Sequence, residues 1–260
     1  MITPQSSAED KFLAELNMFR NEVLSGLKFL YTELAIHKIA GKDKEVLSAM
    51  NSSPTFWNTI LNALQHSTFI TLGRIFDIDS DKHTIHTLFK IIEDNKSLFT
   101  KESFSERRLK NSDRSKLDQW LQEYTKNLYV PTSDDFRKLK KYIQSQKKTY
   151  QEVYAPIRHH FGHRIYIKNE EIQVLFNKVK IKDIEKFYVR LYGVHEALWQ
   201  LYHNGRGPLL PIREKKYSTK NILKSRYKQH EQRPANVQFV EEVKIALKLL
   251  KTGLKEGKPK

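Results

Sequence analysis

Apolar positions recur along this chain at intervals of three and four, the spacing of helices that bury one face. Phe12, Leu16, Phe19, Val23, Leu27, Leu30 and Leu34 trace such a stripe. Ser6 and Glu9 stand before it at capping-box spacing, and it closes near Ala40-Gly41-Lys42-Asp43. A second helix is predicted from Ser53 as cap and Pro54 in the first turn to about Asp77, since proline's fixed φ and missing N–H suit a helix start. Ile78 to Lys82 reads as an acidic turn, Thr84 to Glu93 as a short helix, and about Lys101 to Leu128 as a longer, more exposed one. Pro131-Thr132-Ser133-Asp134-Asp135 opens another, with its acidic side chains where the helix dipole favours them. That helix carries Phe136, Leu139, Ile143, Tyr150 and Tyr154 and is expected to end or kink at Pro156. A last core helix, about Lys182 to Tyr202, lines up Ile184, Phe187, Tyr188, Leu191, Val194, Leu198 and Leu201 and stops at Asn204-Gly205. Pro208, Pro211 and a basic stretch follow, then a small amphipathic helix from about Asn236 to Leu250; only Ile165 to Val174 reads as strand-like. The expected fold class is all-α.

Composition narrows the chemistry. The chain has no cysteine, which removes disulfides, thiolate metal sites and thiol nucleophiles together. Nine Gly and eight Pro in 260 residues leave few turns and long elements between them. No basic segment followed by an apolar one opens the sequence, so no secretory signal is expected and the chain reads as cytoplasmic. Between Val46 and Gly73 there is no Asp, Glu, Lys or Arg, yet Asn51, Asn58, Asn62, Gln65 and His66 make this stretch too polar for a bilayer span. It is expected to be a buried central helix with its entry loop, and no membrane partner is expected.

The net charge of +16 speaks of partners rather than fold. From Gly205 to Lys260 there are four Arg and eleven Lys against five Glu, a net of +10, which leaves 16 − 10 = +6 for the first 204 residues. Residues 1–204 are therefore read as a helical domain and 205–260 as a basic extension. In that extension Tyr217 and Tyr227 interleave with Lys215, Lys216, Lys220, Lys224, Arg226 and Lys228, an arrangement that could stack bases and neutralise phosphates. A solvated tail is the competing reading.

The densest functional cluster is Arg158-His159-His160-Phe161-Gly162-His163-Arg164, three histidines and two arginines in seven residues. Three readings stand beside one another. A guanidinium recognises phosphate through two parallel hydrogen bonds, and an imidazole moves protons near neutral pH, so the cluster suits RNA cleavage in which the 2′-hydroxyl is the nucleophile. His159 and His163 are four apart and could begin a metal site, with His83 or His86 as further ligands. The cluster could also be structural, satisfying carbonyls at a helix end. Elsewhere, Arg74 and Asp77 are read as an intrahelical pair, and Trp57, Trp120 and Trp199 as packing residues rather than base-stacking platforms.

Arg158-His159-x-x-x-His163 resembles the Arg-polar-x-x-x-His motif of the HEPN superfamily, helical bundles found in toxin, abortive-infection and RNA-processing systems. A second Arg-x4-His pair, Arg190 and His195, has Leu191 at the polar position and lies within an apolar helix stripe, so it is set aside. Leu72-Gly73-Arg74-Ile75-Phe76-Asp77 is similar to the helix ending of the U-type abortive-infection branch, as is Ile85-His86-Thr87-Leu88 after it. The resemblance spans roughly Phe12 to Asn204. It implies a helical bundle that dimerises with both motifs facing one cleft. Arg158 would then engage the scissile phosphate, His163 would serve as acid or base, and His159, where Asn is more usual, would orient the ribose or the partner copy's arginine. His160, Arg164 and the extension's Lys215, Lys216, Lys220, Lys224 and Arg226 are the expected RNA contacts. The function expected on this basis is metal-independent endoribonuclease activity, with no cofactor, in a phage-defence or toxin–antitoxin setting. RNA, a second copy and an antitoxin or regulatory protein are the expected partners. The alternatives are a non-catalytic RNA-binding or regulatory HEPN protein, and a metal-binding helical protein.

Overall fold

A computed structural model of the chain describes residues 4–76, 83–110, 123–163, 174, 179–207, 210, 243 and 245–247, and of 4–7, 110, 162 and 163 the backbone alone. Among the described residues every regular element is helical. In chain order they are α1 (Pro4–Ala40), α2 (Lys44–Asn51), α3 (Pro54–Phe76), α4 (Ile85–Asp94), a 3₁₀ turn (Lys96–Phe99), α5 (Lys101–Lys110), α6 (Ser133–Thr149), a π-turn (Tyr150–Tyr154), α7 (Ala155–His163) and α8 (Ile181–Asn204). No helix among them is long and apolar enough to cross a membrane.

The predicted stripes become the core. Phe12, Leu16, Phe19, Val23, Leu27 and Leu30 of α1 are buried against Phe69, Leu72, Ile75 and Phe76 of α3 and against the whole apolar face of α8. One close approach locks the three helices together. A Cβ on Gly26 would lie 2.2 Å from Tyr188 Oη, so only glycine lets the Tyr188 ring cross α1. Beyond it, the phenol donates to the Thr68 carbonyl at 2.6 Å. Burial pushes the phenol's pKa well above its ordinary value, which keeps the proton on the donor. Tyr31 donates to Glu185 at 3.1 Å and Tyr202 to Glu9, so α1 and α8 run antiparallel along their length.

The last turn of α8 is held by two arginines. Arg107 donates to the Leu98 and Tyr202 carbonyls and lies over the Tyr202 ring at 4.1 Å. Arg108 donates to the His203 carbonyl at 2.6 Å. Cations suit these carbonyls, which are left unpaired where the helix dipole is negative. Gly205 then ends α8 at φ 54°, the left-handed cap glycine favours.

Several elements differ from expectation. Asp43 does not sit in a long loop but caps α2, accepting from the Glu45 and Val46 amides. The stretch expected to run from Lys101 to Leu128 is helical over Lys101–Lys110 and again at 123–126; the residues between lie outside those described. Of the strand-like segment only Val174 is described, and it is helical. Within the extension Leu247 is buried against Ile36, Ala40, Val46 and Met50, beside Trp57 and Leu61. The first half of helix α3, which carries no charged residue before Arg74, is more open than expected, with Phe56, Asn58, Thr59, Asn62 and Ala63 exposed.

Pro156 neither ends the helix nor breaks the path from Ser133 to His163. In a regular helix its ring would press on the carbonyl four residues back. Instead the preceding turn widens: the Ala155 amide donates to Tyr150 O, five residues back. Phe76 stacks on Tyr150 at 5.1 Å and Phe187 packs on Tyr154 at 5.1 Å, holding both ends of the wide turn in the core. Such turns are frequent at functional sites, and here the wide turn leads directly into the Arg/His cluster.

Candidate functional site

Helix α7 lies antiparallel across the second half of α3, and its apolar residues set the register. Ile157 is 1 % exposed in the core. One turn later Phe161 packs on Phe69 at 6.0 Å between ring centres and stacks on His66 at 3.7 Å. Between these anchors Arg158 turns towards α3. Its side chain lies so close to Gly73 that a Cβ there would be 2.5 Å from Arg158 Nε and 3.0 Å from Cζ. A glycine in a helix interior lowers stability by about 1 kcal/mol relative to alanine. Here the space it leaves is filled by the half-buried guanidinium stem.

The remaining candidates fall into distinct places. His159 is exposed, while His160 is half-buried with an Nδ1 that is shielded from water and makes no hydrogen bond. The His160 ring lies 5.5 Å from Phe161. His163 is the last residue of α7, and its side chain lies outside those described. Arg164, Lys215, Lys216, Lys220, Lys224 and Arg226 all lie outside the described residues, as do Trp120 and Asp77. Without Asp77, the neighbour seen for Arg74 is Glu22 of α1, at 3.7 Å, with the arginine exposed and the glutamate half-buried. His195, of the motif match set aside, is 1 % exposed in the core of α8. Trp199 is 36 % exposed and packs on the His203 ring at 4.7 Å.

Two groups join the cluster that sequence reasoning did not single out. His66 comes from α3, and burial, followed by the neighbouring His160, lowers its pKa. Gly73 was legible only as part of a helix ending. The signal for it was a lone glycine inside a strongly apolar helix, which usually marks a close approach. The histidines proposed as outer metal ligands are engaged elsewhere. His83 Nδ1 lies 2.6 Å from Glu15. His86 is hydrogen-bonded to the Phe76 backbone; burial and then Lys147 lower its pKa. Among the described residues no three His, Asp or Glu side chains gather as a metal site would need.

An arginine on a π-turned helix, packed on a glycine at the end of the second long helix of a bundle, is the arrangement to which the family comparison speaks. The chain matches the model of the AbiU2 family of HEPN proteins over residues 9–221. It belongs to that family. The match takes in α1 from Glu9 onward, α2 through α8, the whole Arg158–His163 motif and the first part of the basic extension. No curated protein and no solved structure matches the chain. As a HEPN protein of an abortive-infection family, the chain has the all-α architecture its sequence pointed to, with the motif on a helix backed by α3.

Proposed function

We propose that this HEPN protein is a metal-independent endoribonuclease acting in phage defence or a toxin–antitoxin pair, and that it works as a homodimer with the two motifs in one cleft. The observation that carries the reading is the setting of Arg158: a cation at the family motif's arginine position, where α7 packs on α3, with Gly73 kept free of a side chain beneath it. In this reading Arg158 holds the scissile phosphate and offsets the charge that builds on it. The ribose 2′-oxygen attacks phosphorus as its proton leaves to a base, the bond from phosphorus to the 5′-oxygen breaks, and the leaving oxygen takes a proton. His163 serves as acid or base in that exchange, and His159 orients the ribose or the arginine of the second copy. His160 and Arg164, with Lys215, Lys216, Lys220, Lys224 and Arg226, contribute contacts to the RNA backbone. An antitoxin or regulatory protein would restrain the activity in the cell.

The chemistry of the ends tests this. Cleavage through the 2′-hydroxyl leaves a 2′,3′-cyclic phosphate and a 5′-hydroxyl, and it stops when the nucleotide on the 5′ side of the cut is 2′-deoxy. Products with a 3′-hydroxyl and a 5′-phosphate, or cutting of a fully 2′-deoxy strand, would sink the mechanism.

A further inference from the structure

The stacked pair formed by His66 and Phe161 has no role in the mechanism above, yet it belongs to the same contact between α3 and α7 as Arg158. His66 and Gly73 are seven residues apart on α3, two turns on one face, which places the ring about 10 Å along the helix from the level of the Arg158 stem. The two rings overlap at 3.7 Å with 29° between their planes. Both residues are half-buried, and on the turn before, Asn62 and Ala63 are exposed. Phe161 also packs on Phe69 of α3, 6.0 Å between ring centres. Burial and His160 favour the uncharged imidazole of His66 near neutral pH, the form that presents a plain aromatic face. No Asp, Glu, Lys or Arg occurs in α3 before Arg74, so that helix sets no charged side chain beside the rings.

We infer that His66 and Phe161 form a nucleobase platform, on which one unpaired base of a single-stranded RNA stacks while the phosphate of a nearby nucleotide meets Arg158. The inference deepens the proposed ribonuclease reading by naming its substrate class. A base in a duplex is already stacked on both faces and is not free to stack on a side-chain ring. A base in a splayed single strand is, and histidine and phenylalanine are among the side chains used for this purpose. Stacking accepts any base, so the platform selects for strandedness rather than sequence.

The test uses a short unstructured RNA carrying a fluorescent label, free and annealed to its complement. Binding is followed by anisotropy for the full chain and for His66→Ala, His66→Phe and Arg158→Ala, each checked for an unchanged thermal melt. The platform predicts that His66→Ala weakens single-strand binding by about 5- to 100-fold and leaves duplex binding unchanged. His66→Phe, which keeps an aromatic ring, should restore it. Unaltered single-strand binding in His66→Ala would overturn the inference, as would failure of His66→Phe to restore binding, since a role in proton transfer or hydrogen bonding would then be the one lost. If the wild type binds the single strand but cuts none of it while His66→Ala weakens binding, the ribonuclease reading fails and the platform stands. A wild-type chain that binds neither RNA overturns both.

Discussion

Gly73 occupies a helix interior where alanine would be better by about 1 kcal/mol, and the atoms in its way belong to the flexible Arg158 side chain rather than to backbone. Gly73→Ala should therefore move stability and function in opposite directions. The melting temperature stays level or rises, because the helix gains and Arg158 can swing aside. RNA cleavage falls at least about tenfold, because a displacement of roughly 1 Å at a reacting group is enough for a large loss. Full activity in Gly73→Ala would show that Arg158 does not need its seat on α3. Glu33 of α1 has a separate signature. Burial raises its pKa from 4.5 to about 7, so the folded chain holds that proton more tightly than the unfolded one. The stability this contributes is present below about pH 4.5 and is lost as pH rises through 7. Glu33→Gln should flatten that part of the melting profile and raise the melting temperature at pH 8 relative to wild type; parallel profiles for the two would contradict the assignment.

At the scale of elements, the wide turn at Tyr150–Tyr154 decides which way the motif faces. One residue more in a turn re-phases the helix by about 100°, so Arg158 meets Gly73 only with the π-turn in place. Pro156→Ala restores an amide and removes the ring's pressure on the carbonyl of Glu152, which favours the regular helix. Cleavage is expected to drop while helix content by circular dichroism stays constant. Wild-type activity would mean that the stacks of Phe76 on Tyr150 and Phe187 on Tyr154 hold the turn unaided. This turn also marks the boundary of what was legible in the sequence. The stripes of α1, α6 and α8 were readable because burial repeats at every third or fourth residue, and the named positions are buried apart from Leu34, which is partly so. At Pro156 the sequence left an end and a kink both open, and the widened turn that lets the helix continue was not readable, since the rings that hold it open come from α3 and α8. Helix α2 was missed because eight residues with only Val46 and Met50 buried give too short a pattern. In the site, Arg158, His159 and His160 stood out by clustering. His66 and Gly73 did not, because their partners lie more than eighty positions away in sequence and only tertiary packing joins them.

For the whole molecule, a net charge of +16 suits a polyanionic partner and sets two copies against each other, so a homodimer has to bury enough neutral surface to offset that repulsion. A stable interface needs more than about 1,000 Å², and in the proposed dimer the second copy must leave Arg158 open to RNA. Within the basic extension, Leu247 is seated among residues of α1 and α2. The family and the helical bundle are common ground for an enzyme and for a protein that only binds RNA, and rate measured beside affinity separates the two. Cleavage and binding of the same RNA are to be measured in chelator for the wild type, His163→Ala and Arg158→Ala. The account predicts undiminished wild-type cleavage. His163→Ala should bind as wild type but cut about 10²- to 10⁴-fold more slowly, the range for loss of a general acid or base, whereas Arg158→Ala should lose both rate and affinity. A dimeric wild type that binds RNA and cuts none of it, or an activity that chelator removes and zinc restores, would contradict the account.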